Sequence, residues 1–210
     1  GEYILSDPLV LPMYYGNLQM ERGTLRASPT FPKDKWMIQV GNETACQTNG
    51  PQKCCNEFVN FKDLFLDASH RAAGGIRIMS TMGSLISSCF LTGFRSVGIK
   101  VDKGHEVMIV NCWLAEYYWS DVRLPDAHSI GIQINGPDHI LSNVILFDYS
   151  HIGVEVGPDG GNLLDGVHIW NGSGTGFVVR GPTRLTECFV DYNKLVLVDP
   201  SYVVIQDTFF

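Results

Sequence analysis

Gly98-Ile99-Lys100-Val101, Gly131-Ile132-Gln133-Ile134 and Gly153-Val154-Glu155-Val156 are three copies of one phrase: glycine, apolar, variable, apolar. Gly75-Ile76-Arg77-Ile78 and Gly176-Phe177-Val178-Val179 flank them, and the five glycines are spaced by 23, 33, 22 and 23 residues. A second strand-like run follows each copy: Leu85–Phe90, Val107–Leu114, Ile140–Phe147, Leu163–Trp170 and Leu185–Val190. A fixed period in this range marks stacked repeats. Short β-branched and apolar runs with Gly, Asn and Asp at the bends are strand chemistry. One such unit cannot bury its own apolar side, whereas stacked units share a core. The expected fold is all-β, a right-handed parallel β-helix, with rungs ~4.8 Å apart.

Outward from the repeat, the chain reads as one domain. Residues 1–60 form opening rungs and a cysteine loop, and 61–210 the regular rungs. Proline and glycine punctuate the short opening strands. The first residues, Gly1-Glu2-Tyr3, and the last, Phe209-Phe210 inside a strand-like run, suggest a piece of a longer solenoid. Of 210 residues only 18% are charged and 22 are glycine, which suits a turn-rich β fold rather than a helical one. The net charge of −7 argues against a nucleic-acid binder, so a polyanionic ligand needs a local gathering of basic residues. No run reaches the ~18 apolar residues of a membrane span.

Cys46, Cys54 and Cys55 crowd a Gly/Pro/Gln/Asn-rich loop, where one bridge from Cys46 to Cys54 or Cys55 is expected. A metal reading needs four ligands at defined spacing, and no His stands nearby, so no metal or other cofactor is expected. Cys89 and Cys112 each follow their glycine by fourteen residues and should stack in the core as small apolar residues. Asn42-Glu43-Thr44 and Asn171-Gly172-Ser173 fit the glycosylation triplet, making Asn42 and Asn171 candidate sites.

Strand alternation sorts the rungs into columns. The variable position gives an outward column of Arg77, Lys100, Gln133, Glu155 and Val178. Two residues later runs Met79, Asp102, Asn135, Gly157, Arg180; two before each glycine runs Ala73, Ser96, Ser129, His151, Gly174. With the glycines also facing outward, this predicts a shallow groove with a bare floor and polar walls. Arg77 and Lys100 become direct neighbours, so either they splay into water or an anion lies between them. A carboxylated polysaccharide would serve, since Arg suits a carboxylate fork. Asp102 and Glu155, two rungs apart, come near the ~6.5–9.5 Å separation of an inverting glycosidase pair. The rung that breaks the period carries about ten extra residues within Ala115–His128, including Tyr117, Tyr118, Trp119, Asp121 and Asp126. It is either an aromatic cap or a sugar-stacking loop whose Asp121 and Asp126 reach the same face. His105 and His139 occupy similar turn positions and read as turn residues.

Several runs resemble the plant quartet-type polygalacturonases. These are Gly23-Thr24-Leu25-Arg26-Ala27-Ser28-Pro29, Cys55-Asn56-Glu57-Phe58-Val59-Asn60-Phe61, Ile78-Met79-Ser80-Thr81-Met82-Gly83, Gly104-His105-Glu106-Val107-Met108-Ile109 and, most specifically, Trp113-Leu114-Ala115-Glu116-Tyr117-Tyr118-Trp119-Ser120-Asp121. The resemblance implies a pectin-lyase-like β-helix and a secreted hydrolase of cell-wall homogalacturonan. The wider family's Asn-Thr-Asp, Asp-Asp, Gly-His-Gly and Arg-Ile-Lys motifs are incomplete: Gly104-His105-Glu106 and Arg77-Ile78-Met79 match two of three each. The expectation is therefore an inverting hydrolase of α-1,4-galacturonosyl bonds. Its catalytic carboxylates would come from Asp102, Glu155, Asp121 and Asp126. Substrate would be held by Arg77, Lys100, Gln133, Asn135, His151, Tyr117, Tyr118 and Trp119. The expected protein is monomeric and extracellular, with an acidic polysaccharide as its partner and neither nucleic acid nor membrane. The alternatives are a non-catalytic pectin-binding module and, ranked lower, a Ca²⁺-dependent lyase.

Overall fold

In the computed structural model the described residues are 1–12, 16–41, 56–117, 128–170, 172–191, 193–198 and 202–210. They form strands and turns with no helix among them. Sheet 1 stacks eight parallel strands: Leu9–Leu11, Trp36–Val40, Gly74–Met79, Val97–Asp102, Ile130–Asn135, Ile152–Val156, Thr175–Val179 and Lys194–Leu197. The register aligns Ile76, Ile99, Ile132, Val154 and Phe177, all fully buried. The repeated phrase is thus the inner ladder of sheet 1, and the parallel β-helix expected from the period is the fold.

The rest of each rung differs from the sequence expectation. Each long second strand is two short ones with a corner between them. Gln19–Ala27 and Asn60–Asp67 span both faces: Asn60 pairs with Leu85 on sheet 2, and Phe65 with Phe90 on sheet 3. Beyond them the faces separate. Sheet 2 holds strands such as Leu85–Ser87 and Met108–Val110, and sheet 3 holds Phe90–Thr92 and Trp113–Ala115. At the corner one residue per rung turns left-handed: Ser88 (φ 52°), Asn111 (55°), Asn143 (51°), Gly166 (61°) and Glu187 (50°). Its backbone N–H still reaches the next rung, as from Ser88 to the Val110 carbonyl and from Asn111 to that of Ser142, both 3.0 Å. The bend therefore costs no ladder hydrogen bond.

The residue after the corner points inward. Cys89, Cys112, Val144, Val167 and Cys188 fill that column, all buried, and the three thiols are free. Cys89 and Cys112 stack in the core as expected, each Sγ donating to a carbonyl two residues back (3.3 and 3.4 Å). Cys46, Cys54, Cys55, Asn42 and Asn171 lie outside the described residues.

Candidate functional site

The outer face of sheet 1 carries the charges, in the columns expected. The variable column is in register as Gln39, Arg77, Lys100, Gln133, Glu155, Val178, and Asp102 pairs with Met79 and Asn135. Two clusters form. Asp102 Oδ2 accepts from Arg77 Nε at 3.0 Å with Arg77 Nη2 also at 3.0 Å, while Oδ1 accepts from Asn135 Nδ2 at 3.3 Å and lies 3.6 Å from Lys100 Nζ. An anion does sit between Arg77 and Lys100, and it is Asp102 itself. In the second cluster Glu155 Oε1 accepts from Arg180 Nε (3.1 Å) and Nη2 (2.9 Å), and Oε2 from Gln133 Nε2 (2.7 Å).

Each carboxylate is saturated by its own neighbours. Asp102 and Glu155 are two rungs apart along the stack and also two residues apart along the strand. Their Cα atoms are therefore about 12 Å apart from strand spacings. Asp102 leans to the Arg77 rung, away from Glu155. That Cα separation is wider than the ~6.5–9.5 Å between the carboxyl groups of an inverting pair. Asp121 and Asp126 lie outside the described residues, as do Tyr118 and Trp119.

The glycines do not floor the groove. A Cβ on Gly98 would lie 3.0 Å from Leu114 Cδ2 and 3.2 Å from Phe94 Cε1; on Gly131, 2.3 Å from Leu146 Cδ2; on Gly153, 3.0 Å from Ile169 Cδ1. All four neighbours are core side chains. In the second rung Met37 holds the glycine position and is itself in the main core, 0% exposed. The column faces inward because strand alternation breaks at the glycine, and the residue before it turns outward instead. Val97 and Ile130 accordingly join Trp36 and Ala73 in a separate small apolar cluster. Trp36 donates from Nε1 to the Val97 carbonyl (2.9 Å), and the Arg77 guanidinium sits 5.1 Å above its ring. The outer face is thus a charged ladder beside a buried apolar strip. Trp36 and Gln39 escaped the sequence reading because that rung lacks the glycine that marks the others.

A rim closes the strip. His151 and His128 are exposed and meet edge to face at 5.3 Å. Behind them Glu116 is fully buried: Oε2 accepts from Ser129 Oγ and from the Ser150 N–H (2.8 Å), while Oε1 has no partner among the described residues. Tyr117 corrects the expectation of a sugar-stacking ring: it is 5% exposed and its ring lies 5.5 Å from that of His70. Burial lowers the His70 pKa. His139 is more than a turn residue. It is 1% exposed, its Nδ1 accepts from the Val107 N–H (3.2 Å), and burial brings its pKa down to about 4. His105 remains on the surface beside Glu106 (3.6 Å).

Aligned along its whole length, the chain is 32% identical over 222 residues to Polygalacturonase QRT3 of Arabidopsis thaliana. Over its whole length the chain is similar to a polygalacturonase. It spans 44% of that relative, less than half its length. A solved structure described as a glycoside hydrolase superimposes with a TM-score of 0.52 at 9% identity, covering 75% of this chain and 38% of that one, which bears on the fold alone. No family model matches the sequence.

Proposed function

We propose that this polygalacturonase-like chain hydrolyses α-1,4-galacturonosyl bonds of homogalacturonan, by inversion, on the outer face of sheet 1. The observation that supports this most is the pairing of Arg77 and Lys100 with Asp102, and of Arg180 with Glu155, along the face. In an acidic protein that face gathers three cations, Arg77 and Lys100 on adjacent rungs and Arg180 three rungs beyond Lys100. A polyuronate lying along the stack would exchange its carboxylates for Asp102 or Glu155 as partners of Arg77 and Arg180. Gln133 and Asn135 would bond hydroxyls, and His151 would hold the rim. Glu155 is the central catalytic candidate, with Asp121, Asp126 or a repositioned Asp102 as its partner. The general acid needs a proton held at the leaving oxygen and the base needs a water on the opposite face.

A second reading, a pectin-binding module without turnover, is favoured by the saturation of both described carboxylates. A reducing-end assay on demethylated homogalacturonan, with chelator present, separates them. New reducing ends lost in Glu155→Gln support the hydrolase; binding without new ends supports the module. Ultraviolet-absorbing unsaturated products, abolished by chelator, would replace both with elimination.

A further inference from the structure

We infer that a cleft around Trp113, on sheet 3 and away from the charged face, is a binding subsite for an uncharged sugar. A cavity of about 400 Å³ opens there between the outer face of sheet 3 and its corner with sheet 2. Phe65, Phe90 and Trp113 stand in register along one wall, and the corner residues Asp63, Ser88 and Asn111 line the other. The volume is within the range of small-ligand pockets.

The rings of this face are not equivalent. Phe65 and Phe90 stack at 5.3 Å with 27° between planes, and Phe147 and Trp170 at 5.1 Å with 11°, so each covers a face of the other. Trp113 meets Phe147 at 87° and is 49% exposed. It stands across the stack and keeps broad indole surface in water. That is the platform a pyranose needs for its apolar side.

The corner supplies the polar complement. Asp63 (φ 53°), Ser88 and Asn111 are held left-handed, and the N–H groups of Ser88 and Asn111 are already used between rungs. Among the described residues none of the three side chains has a hydrogen-bond partner. A carboxylate, a hydroxyl and an amide can accept from and donate to sugar hydroxyls. The charge decides the class of sugar. Asp63 lines the cleft and no Lys, Arg or His does, so a uronate carboxylate would meet repulsion. The sheet 1 face, with its three cations, has the opposite preference. The structure therefore offers a neutral glycan and an acidic one separate faces of the same solenoid.

Tryptophan fluorescence and calorimetric titrations test this with β-1,4-glucan and β-1,4-galactan oligosaccharides, and with oligogalacturonate for contrast. At least one uncharged oligosaccharide should bind with millimolar or better affinity. Trp113→Ala should weaken that binding tenfold or more, and Asn111→Gly, which keeps the left-handed backbone, several-fold. Arg77→Ala should leave it unchanged. Asp63→Asn should raise the affinity of this cleft for oligogalacturonate in an Arg77→Ala background. Circular dichroism melts establish that each variant folds. No binding by any uncharged oligosaccharide would overturn the assignment. So would unchanged affinity in a folded Trp113→Ala, or a concentration-dependent dimer broken by that substitution, which would give the face to a second copy.

Discussion

Two columns of mostly small and polar residues run down this solenoid and do opposite work. The glycines at 75, 98, 131, 153 and 176 face the core, where leucine, isoleucine and valine side chains of sheet 3 reach over them. The corner residues Ser88, Asn111, Asn143, Gly166 and Glu187 turn left-handed. In these five rungs the first column is small because core side chains already occupy the space a Cβ would need. The second is small or polar because the backbone bends there, and its varied side chains show that room is available. The distinction shapes the outer side too, since an inward glycine leaves Val97, Ile130 and Trp36 packed together beside the charged ladder.

Gly131→Ala should produce the largest effect. The new Cβ would stand 2.3 Å from Leu146 Cδ2 and 2.7 Å from the Gly153 carbonyl oxygen. The leucine is fully buried, and the carbonyl belongs to a ladder strand. A loss of about 2–3 kcal/mol in denaturant melts is expected, the usual cost of overpacking. A loss under about 0.5 kcal/mol would mean that the column has free space after all.

The third corner, between sheets 1 and 2, adds a pH dependence. His139 is buried there with Nε2 unpartnered among the described residues. Its pKa is lowered to about 4 by burial, against an ordinary 6.5. The unfolded chain therefore binds the proton first. The stability is complete above about pH 6.5 and is lost as pH falls from there towards 4, with a ceiling of the order of 3 kcal/mol. His139→Asn keeps an acceptor for the Val107 N–H and removes that titration. Thermal melts from pH 7 to 4 should fall less steeply in the variant than in the parent, and parallel curves would show that His139 is not the group responsible.

On the outer face the effects are smaller. Arg77 and Asp102 are 17% and 19% exposed in their side chains. A double-mutant cycle of Arg77→Ala and Asp102→Asn should return a coupling of about 1 kcal/mol, reduced by salt. A coupling near zero would leave both residues free to serve a ligand without first breaking with each other.

What could be read from sequence follows from periodicity. The repeat gave the inner ladder of sheet 1, the outward order of Arg77, Lys100, Gln133 and Glu155, and the stacking of Cys89 over Cys112, because register in a solenoid follows from spacing. The glycine facing was not legible. Strict alternation put Gly98 outside, and only the core side chains of other strands reveal that the pleat breaks there. The split of each second strand was hidden for a similar reason: Ser88, Asn111, Asn143 and Glu187 share a backbone conformation but span three residue types. Tyr117 looked available among aromatics, and its burial against His70 depends on a contact 47 positions away in the sequence. Asp102 could be placed from spacing, but its bonds to Arg77 on the preceding rung required side-chain geometry.

Gly166 is where the two columns can be compared most directly, since it is a glycine that belongs to the corner. Its φ is +61°, and the nearest atom to an added Cβ is Asn143 Oδ1 at 2.9 Å, the end of a side chain that can rotate away. Asn tolerates this conformation because its short amide can bond locally, and Asn111 and Asn143 already hold it in other rungs. Gly166→Asn should therefore change stability by no more than about 0.5 kcal/mol, with loss of freedom in the unfolded chain pulling towards stabilisation. Gly166→Val, equally small in charge but β-branched, should lose more than about 1 kcal/mol through backbone strain alone. If Asn were as costly as Gly131→Ala, the corner would be enclosed like the inner column. If Asn and Val were equally mild, the left-handed bend would not be what selects the residues of this column.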